Sequence, residues 1–454
     1  MHFSVNNLGA LKKSSIEIGD LTIICGENNS GKTYTTYSLY SFLHTIHINL
    51  RLPISDKCFN ELLKNGSSNI DVNQIWPDEY NKLLQKTLEE KFVSFIPMAL
   101  AIPRSFITSQ TSCEASVDNG NYLHFLNQKF EIGIQVSEQC HIKALKEQNS
   151  SIVKFTLKNM GKKLPNKNVL HDQMSTLFSY AVNKHILPDA FSISSERTGV
   201  FLFAQELGMI MHEHAEKSKK KTKKIEFEDT DNDSKPYPYP LSIIEETSFV
   251  FKIKTLIKKE SFIVKNHPEI LQYFDLIAGG NYKVDDNLGI QFIIPEKRPL
   301  SLSESSSSVK SLVELNFYLR HCAKKGQILM IDEPELNLHP KNQRNMARLL
   351  AMLVNAGIKV FITTHSDYII REFNTLIQLN NDDAYLKKLQ KQEGYAASEL
   401  LDASKVKAYV AEKQEDGVVL KEAPTTQKDG ITIDTLDDVI DKMNQIHDAI
   451  IWGE

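Results

Sequence analysis

The chain has 454 residues, of which 41% are hydrophobic and 24% charged, enough for two or three globular domains with a substantial core. A formal net charge of −4 excludes a global attraction to nucleic acid, and five scattered cysteines with no C-x-x-C spacing exclude a disulfide framework. With no apolar run of about 18 residues, a membrane span is excluded as well, and the expected location is the cytoplasm.

Residues 1–25 read as short strands, at 2–5, 15–18 and 21–25, with turns at Gly9, Gly19 and Asp20. The last strand runs into Gly26-Glu27-Asn28-Asn29-Ser30-Gly31-Lys32-Thr33, which fits G-x-x-x-x-G-K-[ST]. A strand that stops in such a loop and restarts as a helix (residues 34–46) leaves the amides of Gly26, Asn28, Asn29, Ser30 and Gly31 pointing inward, a cradle for a triphosphate. Lys32 would reach the β- and γ-phosphates as a point charge and Thr33 would offer its hydroxyl to Mg²⁺, so the cofactors expected are ATP and Mg²⁺.

Residues 34–100 are mostly helical in pattern, 125–156 alternates like strands (130–136 most clearly), and 167–187 returns to helix. Ser195-Glu196-Arg197 follows a strand end and precedes a helix over 201–213. Next come a lysine run (217–224), an acidic run (226–233) and Lys235-Pro236-Tyr237-Pro238-Tyr239-Pro240, read together as an exposed linker at 216–240. The lysines are a solvated loop whose field the acidic run cancels; phosphate contact, and hence DNA binding, is the alternative. Helical stretches at 241–264 and 268–276 are expected as an antiparallel pair projecting from the core, and 279–294 as a hairpin turning at Asp285-Asp286-Asn287.

Residues 303–315 place Ser306, Ser307 and Ser308 at the start of an amphipathic helix, whose free N–H groups and dipole make a second anion site. A buried strand over 326–331 ends in Asp332-Glu333. Asp332 is placed to hold Mg²⁺ beside Thr33, and Glu333 to polarise the attacking water. A helix over 340–357, with Met346, Leu349, Leu350 and Leu353 on one face, leads to the strand 360–364, which brings His365 out at the same sheet edge to steady that water.

Phosphate loop, serine-capped helix, Asp-Glu strand and histidine strand, in that order with a long insertion after the first, resemble the ABC-type ATPases of the RecF/SMC branch. The resemblance implies an α/β fold: an ATPase head with a mixed, largely parallel sheet, an N-terminal antiparallel β subdomain, and a large α/β and helical insertion before the signature. Head segments would be 1–48 and 301–380, with a helical and β insertion at 49–190, a helical arm region at 191–300, and a small α/β extension at 381–454. Lys310, Leu312 and Leu315 match positions after that family's signature, which makes Ser306 the signature serine acting on a second subunit's nucleotide. Residues 336–340 resemble its dimer-contact loop, and Gln205 is the candidate for its site-lining glutamine.

More narrowly, Ser195-Glu196-Arg197, the 306–312 stretch and Thr364-His365-Ser366-Asp367-Tyr368 resemble the single-head ATPases of bacterial antiviral operons. These include AriA of the PARIS system, PtuA of Septu, and the ATPase parts of OLD and Gabija proteins. The Toprim nuclease half of the last two has no counterpart after Tyr368. The resemblance therefore implies a homo-oligomeric anti-phage sensor that controls a separate nuclease, such as a Toprim-type protein, and responds to a phage-encoded trigger. A RecF-like DNA-repair ATPase is the alternative.

Overall fold

The computed structural model describes residues 1–159, 161, 164–218, 238–285, 289–295, 298–433, 443 and 445–451. Most of the expected charged linker, the tip of the 279–294 hairpin and part of the expected α/β extension (434–442, 444 and 452–454) lie outside these residues. The chain forms two compact units, one built on Met1–Leu8 and Ser38–Ala190, the other on Gly9–Tyr37, Phe191–Ser218 and Pro238–Glu454.

In the first unit, strand His2–Leu8 pairs antiparallel with Ser112–Ser116. Strands Ser67–Asp71, Ile152–Asn159, Cys140–Lys146 and Phe130–Ser137 form, in that order, an antiparallel four-stranded sheet. Its strands alternate buried and open positions, as a sheet with one covered face requires. Helix Lys167–Ile186 buries Leu170, Met174, Leu177 and Phe178, and the Phe178 ring meets Phe155 edge-on at 6.0 Å.

The second unit is organised on a mixed sheet. Its strand order is Leu11–Glu17, Gly417–Ala423, Val406–Gln414, Leu21–Gly26, Lys359–Thr364, Ile328–Asp332, Ala190–Ile193. Leu21–Gly26 lies parallel to both neighbours, with Cys25 opposite Thr364 on one side and Val410 on the other. Because both faces are covered, Leu21, Ile23, Ile24, Leu329, Met330, Phe361 and Ile362 are wholly buried, which explains their unbroken apolar runs. Helix Pro340–Asn355 supplies the crossover between Ile328–Asp332 and Lys359–Thr364, and it buries Met346, Leu349, Leu350 and Leu353 as its period indicated. Among the described residues, no helix is long and apolar enough to cross a membrane.

Three expectations differ from this arrangement. The stretch read as one helix over 241–264 is two, Leu241–Leu256 and Phe262–Asn266, because Ser261 caps the second by accepting the Val264 N–H at 3.1 Å. Nor does the following helix Pro268–Ala278 project as a pair with them: Ile263, Ile270, Phe274 and Ile277 belong to the main core, and the helix packs on Pro340–Asn355. The strands Val406–Gln414 and Gly417–Ala423, expected in an extension beyond the head, stand inside its sheet between Leu21–Gly26 and Leu11–Glu17.

Candidate active site

The loop after Leu21–Gly26 is shaped by three left-handed residues, Gly26 (φ 145°), Asn29 (φ 60°) and Gly31 (φ 76°). Glycine is required at both ends. A Cβ on Gly31 would stand 2.6 Å from Leu11 Cδ2, and one on Gly26 would stand 2.9 Å from the Ala411 Cβ. Ser30 is buried and donates to the Glu27 carbonyl at 2.7 Å, while Asn28, Asn29 and Thr33 are exposed.

Lys32, in the first turn of helix Lys32–Asn49, is 6% exposed, and its Nζ donates to the carbonyls of Gly26 (2.9 Å) and Glu27 (2.7 Å) and to Ser30 Oγ (3.3 Å). Burial lowers its pKa against the pull of Asp332 and Glu333. A buried ammonium satisfied only by neutral oxygens is set to receive an anion.

Asp332 ends its strand opposite Thr363, whose hydroxyl donates to the carboxylate. Burial raises the Asp332 pKa above the usual carboxylate value, so the charged form is under-solvated and favours a nearby cation. Glu333 adopts a left-handed backbone (φ 51°), and its N–H donates to the Thr363 carbonyl at 3.1 Å. This turn places Glu333 Oε1 3.5 Å from His365 Nε2. Burial, and then the charge of Lys32, hold the His365 pKa below its ordinary value, so at neutral pH the imidazole is uncharged and the contact is between a neutral ring and a carboxylate.

Ser306 caps helix Ser307–Phe317, accepting the Val309 N–H at 3.4 Å, with its Oγ 3.0 Å from Ser308 Oγ. Ser306 and Ser307 are exposed; Ser308 and Lys310 are half-buried. Lys32, Asp332, Glu333 and His365 thus converge within one chain, whereas among the described residues Ser306, Ser307, Ser308 and Lys310 make no hydrogen bond to the phosphate loop.

Four more groups stand around this constellation, the buried Arg197 and Glu246, the half-buried Glu335 and the exposed Glu196, and motif reading gave none of them a role. Glu335 Oε1 accepts the His365 N–H (2.7 Å) and the Thr364 hydroxyl (2.8 Å), fixing the turn that presents the histidine. Arg197 donates to the main-chain carbonyls of Asp332 and Glu333, and Glu246 accepts the Ser194 hydroxyl at 2.8 Å. Glu196 accepts Tyr37 Oη at 3.0 Å and is among the charges acting on Asp332. Gln205, the candidate for lining the site, is exposed in the first turn of helix Ala204–Ser218.

No curated protein matches the chain. Solved structures similar to it include the Smc head bound to the C-winged-helix domain of ScpA, at 10% identity over 93% of this chain and 97% of that one, with a TM-score of 0.35. The SMC head domain from Thermotoga maritima matches at 9% identity over 93% and 98%, TM-score 0.31. The Smc head with an extended coiled coil bound to the C-terminal domain of ScpA, derived from Pyrococcus furiosus, matches at 11% over 98% of each chain, TM-score 0.34. The family is carried by the sequence itself: residues 1–370 match the AAA ATPase domain family. A phosphate loop, an Asp-Glu strand end and a facing histidine, within a match that spans most of its length, make this chain a member of the AAA ATPase domain family.

Proposed function

We propose that the chain is a Mg²⁺-dependent ABC-type ATPase that closes as a dimer around two nucleotides. In this reading it serves as the sensor subunit of an anti-phage complex controlling a separate nuclease. The observation that carries the catalytic part is the meeting of Glu333 and His365 at 3.5 Å beside a lysine that is 6% exposed.

The phosphate-loop amides and Lys32 bind the triphosphate, and Glu333 accepts the proton of the attacking water. His365, neutral, steadies that water through its Nε2. Thr33 and Asp332 fit Mg²⁺: the hydroxyl is exposed, and the carboxylate is one that burial leaves short of solvation. When bound, the ion would neutralise charge on the phosphates. Ser306 to Ser308, whose helix offers free N–H groups, act on the nucleotide of a second copy. The anti-phage role is supported by the likeness of the 195–197, 306–312 and 364–368 segments to antiviral ATPases.

Glu333→Gln is expected to bind ATP with unchanged affinity while hydrolysis falls by about 10²-fold or more, measured as phosphate release. Full turnover in that variant refutes the assignment. Co-expression with the neighbouring gene product tests the partner: nuclease activity unaffected by the ATPase or its Glu333→Gln variant rejects the sensor role. DNA-stimulated hydrolysis with a steep salt dependence would favour a repair ATPase instead.

A further inference from the structure

We propose that Arg197 is a positioning residue that ties the serine-capped helix of a subunit to that subunit's own catalytic turn, so that closure on the partner's nucleotide is felt at Glu333. The inference rests on the reading of Glu333 and the serine helix given above.

Arg197 is 3% exposed, and its guanidinium makes four hydrogen bonds, every one to a main-chain carbonyl. Nε donates to Ser311 O at 3.0 Å, Nη1 to Ser194 O and Asp332 O, each at 2.8 Å, and Nη2 to Glu333 O at 2.8 Å. Three separate segments are therefore held by one planar group: the end of strand Ala190–Ile193, the serine helix, and the turn after Ile328–Asp332. A lysine carries the charge but not the fork, and reaches few of these acceptors at once.

The link continues to the end of the helix that faces solvent. Ser311 Oγ donates to the Ser308 carbonyl at 3.0 Å, so the run is Ser308, Ser311, Arg197, Glu333 without a gap. At its far end the left-handed Glu333 is gripped on both sides, its N–H by Thr363 O and its C=O by Arg197. A non-glycine residue in that conformation persists only where its surroundings impose it. Glu246 and Glu314 both act on the buried guanidinium, while burial pushes their own carboxyls up, Glu246 to about 8 and Glu314 well above the usual carboxylate value. Glu314 lies on the serine helix itself, fully buried, with neither carboxylate oxygen finding a hydrogen-bond partner among the described residues. A shift of that helix therefore moves one of Arg197's acceptors, the Ser311 carbonyl.

The test is Arg197→Lys, assayed with Glu333→Gln in parallel. The expected result is kcat lowered by about 10²-fold with KM for ATP and nucleotide binding stoichiometry unchanged, since a misplaced carboxylate slows chemistry without touching the phosphate loop. The parent's rate is expected to rise sigmoidally with ATP and that of Arg197→Lys hyperbolically, because the two sites no longer report to each other. Wild-type kcat in Arg197→Lys overturns the coupling. Should that variant not fold, hydrogen exchange with a non-hydrolysable ATP analogue and Mg²⁺ decides: slowing of the 332–335 amides that is lost in Ser306→Arg supports the proposal, and equal slowing in parent and Ser306→Arg overturns it. If Glu333→Gln itself turns over normally, the failure lies in the site reading; if only Arg197→Lys is normal, the coupling alone fails.

Discussion

Lys32, Asp332 and His365 share one physical trait: burial displaces each from its ordinary pKa toward the uncharged form. Such groups gain most from a ligand that brings phosphate to the lysine and a cation to the aspartate. Lys32→Ala should therefore abolish ATP binding while leaving the melting temperature close to that of the parent, a difference that calorimetric titration and a thermal melt read together. Gly31→Ala is expected to act through shape. Its φ of 76° and the 2.6 Å approach to Leu11 Cδ2 predict a loss of about 1–3 kcal/mol of stability along with weakened ATP binding. Adding Leu11→Ala should recover part of the loss, because the clash is relieved while the left-handed backbone stays. At this scale the sequence was most legible where chemistry demands a residue type at a fixed spacing, as in the phosphate loop and Asp332-Glu333. Arg197 was marked only as part of the Ser195-Glu196-Arg197 resemblance, and its role left no trace: its acceptors are main-chain carbonyls, which any sequence supplies.

Elements were legible in proportion to their regularity. The parallel strands read as unbroken apolar runs because both faces are buried, and helix Pro340–Asn355 showed its period because one face is not. The 241–264 stretch misled because apolar residues resume at Phe262 after the short polar break Lys258-Lys259-Glu260, and the cap at Ser261 that divides it is a single residue. Helix Lys32–Asn49 ends in a titrating feature: burial holds the His47 pKa at about 4, with Asp189 3.9 Å away. His185, stacked on Phe130 at 4.6 Å, is likewise lowered to about 4, again chiefly by burial. In the unfolded chain each takes up a proton near 6.5, so below that pH the unfolded state binds more protons and stability falls as pH drops from about 6.5 to 4. Urea unfolding should show a midpoint lower at pH 5 than at pH 7.5, and His47→Gln should remove part of the difference. An unchanged midpoint in the parent would show that burial does not hold these two imidazoles uncharged.

For the whole molecule, the proposed dimer predicts a state that depends on nucleotide. Glu333→Gln with Mg·ATP should elute at twice the mass of the same protein without nucleotide, measured by light scattering, and Ser306→Arg should keep it monomeric by filling the face that meets the second copy. A dimer indifferent to both would separate assembly from catalysis.

The threading of the main sheet bears on how such a chain is made. The strand that feeds the phosphate loop is bordered by Lys359–Thr364 and by Val406–Gln414, and the Cys25 thiol donates to the Tyr409 carbonyl at 3.2 Å across 384 positions of sequence. A nascent polypeptide emerging from the ribosome therefore carries its first functional motif as an unpaired edge until the closing segment is synthesised, well past residue 370, where the family match stops. Truncation before Val406 should yield insoluble material rather than a smaller working enzyme, and chaperone dependence during synthesis should end only when that last filling strand arrives.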